Sequence, residues 1–164
     1  MELKKVFKII VIISSILIII DQTSKILISN FVTEDIVLIP NNTLTITKVE
    51  NEGIAFGINK QNAGNIVVII ILLIIIFNYI ISQRNNLKKH TVIYLSLMIA
   101  GGISNLIDRI LKGAVFDFIK VGNFPVFNIA DMIIVCGWFL FLIDFIKNTA
   151  IDIKTIKAGK KDKK

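Results

Sequence analysis

The chain has 164 residues, 54 % of them hydrophobic, with 19 lysines and arginines against 12 aspartates and glutamates and a net charge of +7. A mean hydropathy of +0.76 excludes an ordinary soluble domain, where about 45–50 % apolar residues are usual. One cysteine and one histidine exclude an internal disulfide and a Cys/His metal cage, so neither metal nor other cofactor is expected.

The apolar residues fall in four blocks, and a bilayer core needs about 17–25 helical residues to be crossed. The composition therefore predicts a mainly α membrane protein. It is one integral domain over residues 1–164 with four transmembrane helices, at about 9–29, 64–82, 91–110 and 127–147. The first block follows Lys4, Lys5 and Lys8 but has no small-x-small cleavage site after it, so it is expected to stay as an uncleaved helix. It runs on through Asp21 and Lys25, an i, i+4 pair able to meet on one face.

Residues 30–63 are too long for a bare turn. "DIVLIPNN" and "TLTITKV" are rich in β-branched residues, with a turn signal at Pro40-Asn41-Asn42, so a small strand-rich flap is expected. "NEGIAFGIN" closes it, with Gly53 and Gly57 suited to bends or close approach. After the second helix comes a short polar loop with Arg84, Lys88, Lys89 and His90, where His90 is expected to be solvated. The third helix carries Asn105, Asp108 and Arg109 at i, i+3 and i+4, preceded by the small residues Ala100, Gly101, Gly102 and Ser104 that let membrane helices approach. A short connection, roughly Lys112 to Val126, holds Asp117. The fourth helix opens with Asn128 and Asp131 and contains Cys136, expected to be a buried apolar filler. The tail, residues 148–164, is rich in lysine.

Basic residues sort to one side: before the first helix, between the second and third, and in the tail. The positive-inside rule puts both termini in the cytoplasm and the flap outside. The tail then reads as topogenic and solvated, with membrane lipid and not nucleic acid as its neighbour. At 1.5 Å per residue, Asp21, Asn105, Asp108, Arg109, Asn128 and Asp131 reach one layer near the outer surface, with Asp117 in the loop at the same level.

Charges near hydrocarbon usually come paired. Asp21 has Lys25 one turn on, and Asp108 has Arg109 beside it. Asp131 has no cation in its own helix until Lys147, and Asp117 has only Lys120 nearby. Two carboxylates left over at one depth cannot both ionise easily if they meet, which is the arrangement of aspartyl proteolysis. Two rivals differ in class. A small ion or solute transporter could use Asp21, Asp108 and Asp131 as a path, but that needs stations at several depths, and Asp144 is the one inner candidate, with Lys147 one turn on. A purely structural membrane protein would leave the two extra aspartates without a use.

The blocks "DQTSK" at 21–25, "NEGIAF" at 51–56, "SNLIDR" at 104–109, "VFDF" at 115–118 and "FNIAD" at 127–131 resemble, in order, the signature of bacterial lipoprotein signal peptidase, or signal peptidase II. The resemblance implies an intramembrane aspartyl endopeptidase of the bacterial cytoplasmic membrane. Such an enzyme acts as a monomer on prolipoproteins, cutting before a diacylglyceryl-modified cysteine. Asp117 and Asp131 match the catalytic aspartates. Asn51, Asn105, Arg109 and Asn128 match polar residues of the substrate site, and Gly53 beside Asn51 is placed with them. Asp21, Lys25 and Asp108 match supporting groups. Two departures stand out: Ser104 replaces the family's usual glycine, and the loop after Asp117 is short.

Overall fold

The computed structural model describes residues 1–40, 43–53 and 62–161. Four helices and three strands follow in the order α1 (Leu3–Phe31), β1 (Ile36–Ile39), β2 (Leu44–Asn51), α2 (Asn62–Ser82), α3 (Lys89–Lys112), β3 (Val115–Val121) and α4 (Ile129–Lys161). The turn expected at Asn41 and Asn42, and Gly57, lie outside the described residues.

Among the described residues, three helices are long and apolar enough to cross a membrane: Gly64–Ser82, Lys89–Lys112 and Ile129–Thr149. α1 is 29 residues long, apolar from Ile9 to Ile20, and carries Asp21 and Lys25 buried within it. α3 is the central helix. It packs on α1, α2 and α4, and 44 % of its apolar segment is buried, against 11 % for α2 and α4. Isoleucines on α2 such as Ile71, Ile74 and Ile75 stay exposed, as expected where hydrocarbon and not water is the solvent. At the end of the bundle near residue 88, Val6, Ile10, Ile80, Leu87, Val92 and Leu95 form a buried cluster joining α1, α2 and α3.

Two sequence readings need correction there. His90 is not a loop residue: it lies in the first turn of α3, and its Nε2 is 3.1 Å from both carboxylate oxygens of Asp144. Asp144 therefore finds its partner on α3 and not at Lys147, with Thr91 Oγ1 donating to it as well (3.2 Å). The lysine-rich tail continues α4 as helix to Lys161.

The sheet is antiparallel in the order β1-β2-β3. β1 and β2 arise where the β-branched runs predicted them. β3 is a third correction of substance, because residues 115–121 were expected to be a plain connection. Gly113 ends α3 in the left-handed region (φ 82°), which glycine adopts without cost, and its N–H caps the Arg109 carbonyl at 3.2 Å. The chain then runs straight into β3, which pairs Asp117 with Val49 and Val115 with Asn51. Its far end turns back, and Phe127 and Ile119 exchange backbone hydrogen bonds (2.8 and 3.0 Å).

Candidate active site

This return sets Asn128 next to Asp117 across only ten intervening residues. Asn128 is the N-cap of α4 and Asp131 its third residue. Asn128 Oδ1 accepts from the Asp131 N–H (3.0 Å), and Asp131 Oδ2 accepts from the Asn128 N–H (3.2 Å). That is a reciprocal capping box in its Asn-x-x-Asp form. The i, i+3 spacing was visible in the sequence. Its capping role was not drawn from it, although a polar cap with an acid three residues on, before an apolar run, is its ordinary signal.

Asn128 joins the two carboxylates. Its Nδ2 donates to Asp117 Oδ1 (2.7 Å) and, from the same amide, to Asn105 Oδ1 (3.2 Å). Asp117 Oδ2 accepts from Asn51 Nδ2 (2.9 Å), and Asp131 Oδ1 accepts from Asn105 Nδ2 (2.8 Å). Each of the four carboxylate oxygens thus accepts one N–H from an asparagine. The donors are neutral, so they orient the two acids without neutralising them. Asp117 is fully buried in β3. Burial, helped by the charge of Asp131, pushes its carboxyl up to about 6, while the Asn51 and Asn128 amides pull the other way.

Around this pair sits the charged network. Lys25 Nζ lies 2.7 Å from Asp21 Oδ2 and 2.7 Å from Asp108 Oδ2, and donates to Asn105 Oδ1 at 3.2 Å. The predicted Asp21–Lys25 pair is present. The predicted partner of Asp108 is not: Asp108 turns to Lys25 and to Lys112 (3.0 Å), because the side chain of its neighbour Arg109 points to another face of the helix. Arg109 Nη2 instead donates to the Gly53 carbonyl (2.6 Å), tying α3 to the end of the β2 segment, where Gly53 N–H also donates to Asn51 Oδ1 (3.0 Å). Asp21 Oδ1 accepts the free Ala130 N–H in the first turn of α4 (2.8 Å). Ser104 Oγ donates to Asp21 Oδ2 (2.7 Å), so the hydroxyl that departs from the usual glycine is absorbed into the network. Gln22, given no role from the sequence, donates to Ser104 Oγ (3.0 Å).

Asp117 and Asp131 both line one cavity of about 910 Å³. Asn51, Gly53, Asn105 and Arg109 share its polar wall, and Phe124, Val126, Ile134 and Val135 its apolar one. Asp21, Lys25, Asp108 and Asn128 are absent from that lining: they stand behind it. Among the described residues no cluster of His, Cys, Asp and Glu could hold a metal ion. Two carboxylates on one cavity with a polar and a larger apolar wall, beside helices long enough to cross a bilayer, are what an aspartic hydrolase working at a membrane would need.

Comparison with known proteins agrees. The family described as signal peptidase (SPase) II matches residues 13–147. A lipoprotein signal peptidase of Staphylococcus epidermidis is 42 % identical over 149 residues, covering 86 % of this chain and 91 % of that protein. One from Staphylococcus aureus is 35 % identical over 161 residues (93 % and 92 %), and one from Moorella thermoacetica 37 % over 123 residues (72 % and 79 %). A solved structure described as a bacterial membrane enzyme, obtained by the in meso method at 2.3 Å resolution, superimposes with a TM-score of 0.77 at 33 % identity, over 87 % of this chain and 90 % of that one. The chain belongs to the signal peptidase II family: it is a membrane-embedded aspartic endopeptidase that removes signal peptides from prolipoproteins.

Proposed function

We propose that Asp117 and Asp131 are the catalytic dyad of this peptidase, cutting before the diacylglyceryl-modified cysteine. The observation that carries the reading is that both carboxylates line one cavity and are joined through a single asparagine, Asn128. In the reaction the ionised carboxylate takes a proton from water as the water oxygen attacks the scissile carbonyl. The protonated partner gives its proton to the carbonyl oxygen. The resulting diol collapses with proton transfer to the leaving amine, and the pair returns to its single shared proton. Asn105 and Asn128 orient the acids. Arg109 and Asn51 hold the chain at Gly53 against the cavity, where the substrate backbone would run. Asp21, Lys25 and Asp108 fix the depth of α4 and of Asn105.

The same reading has four membrane crossings, α1 included, both termini in the cytoplasm, the sheet at the outer surface of the bacterial cytoplasmic membrane, and a monomer as the working unit. Its support is the lysine and arginine asymmetry. The substrate's acyl chains would then stay in the outer leaflet while water reaches the peptide bond beside them. The experiment is cleavage of a lipid-modified prolipoprotein in detergent by Asp117→Asn and Asp131→Asn. Each is expected to fold and bind substrate but to lose nearly all turnover. Turnover within about tenfold of the parent, only ~1.4 kcal/mol of barrier, would overturn the dyad.

A further inference from the structure

Strands alternate their side chains between two faces, and in β3 that alternation creates a second cavity. Val115 and Asp117 line the catalytic chamber, whereas Ala114 and Phe116 line a separate space of about 210 Å³ behind the sheet. Its other walls are the last turns of α1, with Lys25, Ile26, Ser29 and Asn30, together with Lys112 of α3 and Glu50 of β2.

The charges there have an order. Helix C-termini attract cations, and two lysines sit at two of them. Lys48 is not in the wall but reaches its rim, where its Nζ donates to the carbonyl of the lining residue Ser29 in the last turn of α1 (2.6 Å), and Lys112, in the wall and in the last turn of α3, spends one donor on Asp108 Oδ1 (3.0 Å). An ammonium has three donors, so one such bond each leaves capacity on both, and Lys112 stays half exposed. One carboxylate, Glu50, faces the same space. Lys25, the other lysine of the wall, is already held by Asp21 and Asp108. Lys112 in the wall and Lys48 at the rim, against one anion, suit a singly charged group that also carries a hydrogen-bond donor, whereas a dianion would meet Glu50. Below the cavity, Ile26, Leu27, Ile110 and Leu111 are exposed apolar residues on α1 and α3. The space is smaller than the ~300–1,000 Å³ of drug-sized ligand pockets. It has room for a phosphodiester and part of its alcohol, but not for a peptide or for acyl chains, which would lie along the apolar helix faces.

We propose that this rear cavity binds the phosphodiester head group of a membrane phospholipid, with Lys48 and Lys112 on the phosphate and Glu50 on the head-group alcohol or amine. The proposal rests on the proposed placement of the sheet at the membrane surface and is independent of the dyad. The test is native mass spectrometry and melting of the delipidated protein in detergent with three probes: short-chain phosphatidylglycerol, the matching diacylglycerol, and inorganic phosphate. Phosphatidylglycerol is expected to be retained and to raise the melting temperature, and the other two are not. Lys48→Gln should weaken retention about tenfold, as loss of one charge-assisted contact does, with the cleavage rate of a lipid-modified prolipoprotein unchanged. Lys112→Gln should weaken it likewise, and Lys48→Gln keeps the test sound if Lys112→Gln disturbs Asp108. Equal retention of diacylglycerol would reduce the site to an apolar groove, and an equal response to inorganic phosphate would make it a site for a soluble anion. Either result, or undiminished retention by Lys48→Gln, overturns the proposal.

Discussion

At the scale of residues, Asp117 carries the most readable consequence. Its carboxyl is raised to about 6 because it is buried. A raised acid is a destabilising anion in the folded state: the folded protein holds the proton more tightly than the unfolded one, whose aspartates titrate near ~3.9. The stability linked to this proton is complete below about pH 4 and is lost as pH rises through about 6. Asp117→Asn cannot ionise, so its stability relative to the parent should improve between pH 4 and pH 8, by up to about 3 kcal/mol at ~1.36 kcal/mol per unit. Melting curves of both proteins across that range check this; a constant difference would refute it. With Asp117 as the acid that serves the carbonyl oxygen, activity should fall on the alkaline side as pH rises through about 6 and its carboxyl ionises. The Asp117→Asn/Asp131→Asn double variant should turn over scarcely less than either single one, since groups acting as a unit are non-additive.

At the scale of elements, the placement of α4 against α3 and α1 decides where Asp131 stands. Gly101 faces the first turn of α4 so closely that a Cβ there would run into the Ala130 carbonyl oxygen and Ile134 Cγ1. Ile134 could shift, but the carbonyl is backbone one residue from Asp131. Gly101→Ala is therefore expected to cost about 1–3 kcal/mol, as overpacking does, and to lower kcat by displacing α4; unchanged melting and kcat would show that the helices slide freely. Arg109 acts on another element. It grips the Gly53 carbonyl, so Arg109→Lys, which keeps the charge but loses the planar fork, should raise KM for substrate more than it lowers kcat. A selective loss of kcat would instead move Arg109 into the chemistry. Asp21→Ala strips the Ala130 N–H, Ser104 and Lys25 of one shared acceptor. Breaking one partner of a buried pair costs about 3–5 kcal/mol, so melting should drop before the dyad's pH profile changes.

At the scale of the whole molecule, the proposed topology is open to direct labelling. Cys136 is the one native cysteine and, contrary to the expectation of a buried filler, is exposed on the outer face of the bundle on α4. After Cys136→Ala, a cysteine introduced at Asn85, in the exposed turn between α2 and α3, should resist a membrane-impermeant thiol reagent in intact cells and react once the membrane is opened. A cysteine at Thr43, at the exposed start of the β2 segment, should react from outside in intact cells. Labelling at Asn85 in intact cells would invert the molecule and remove the placement of the dyad at the outer surface.

The sequence by itself determined which segments are apolar helices, where the hairpin of β1 and β2 forms, and which polar residues could come together. These are local properties: hydrophobicity, β-branching and helical rise need no partner to be defined. The signature blocks added the reading of Asp117 and Asp131 as the working pair. The tertiary structure decided the partners. Asp108 chose Lys25 and Lys112 over adjacent Arg109, Asp144 chose His90 over Lys147, and the connection holding Asp117 became β3 because β2 offered it an edge. Asn128 turned out to be both the cap of α4 and the link between the acids. Such choices depend on how far each helix is rotated and shifted against the next. That is settled by contacts between segments some 80 residues apart, such as Lys25 with Asn105, which no local pattern records.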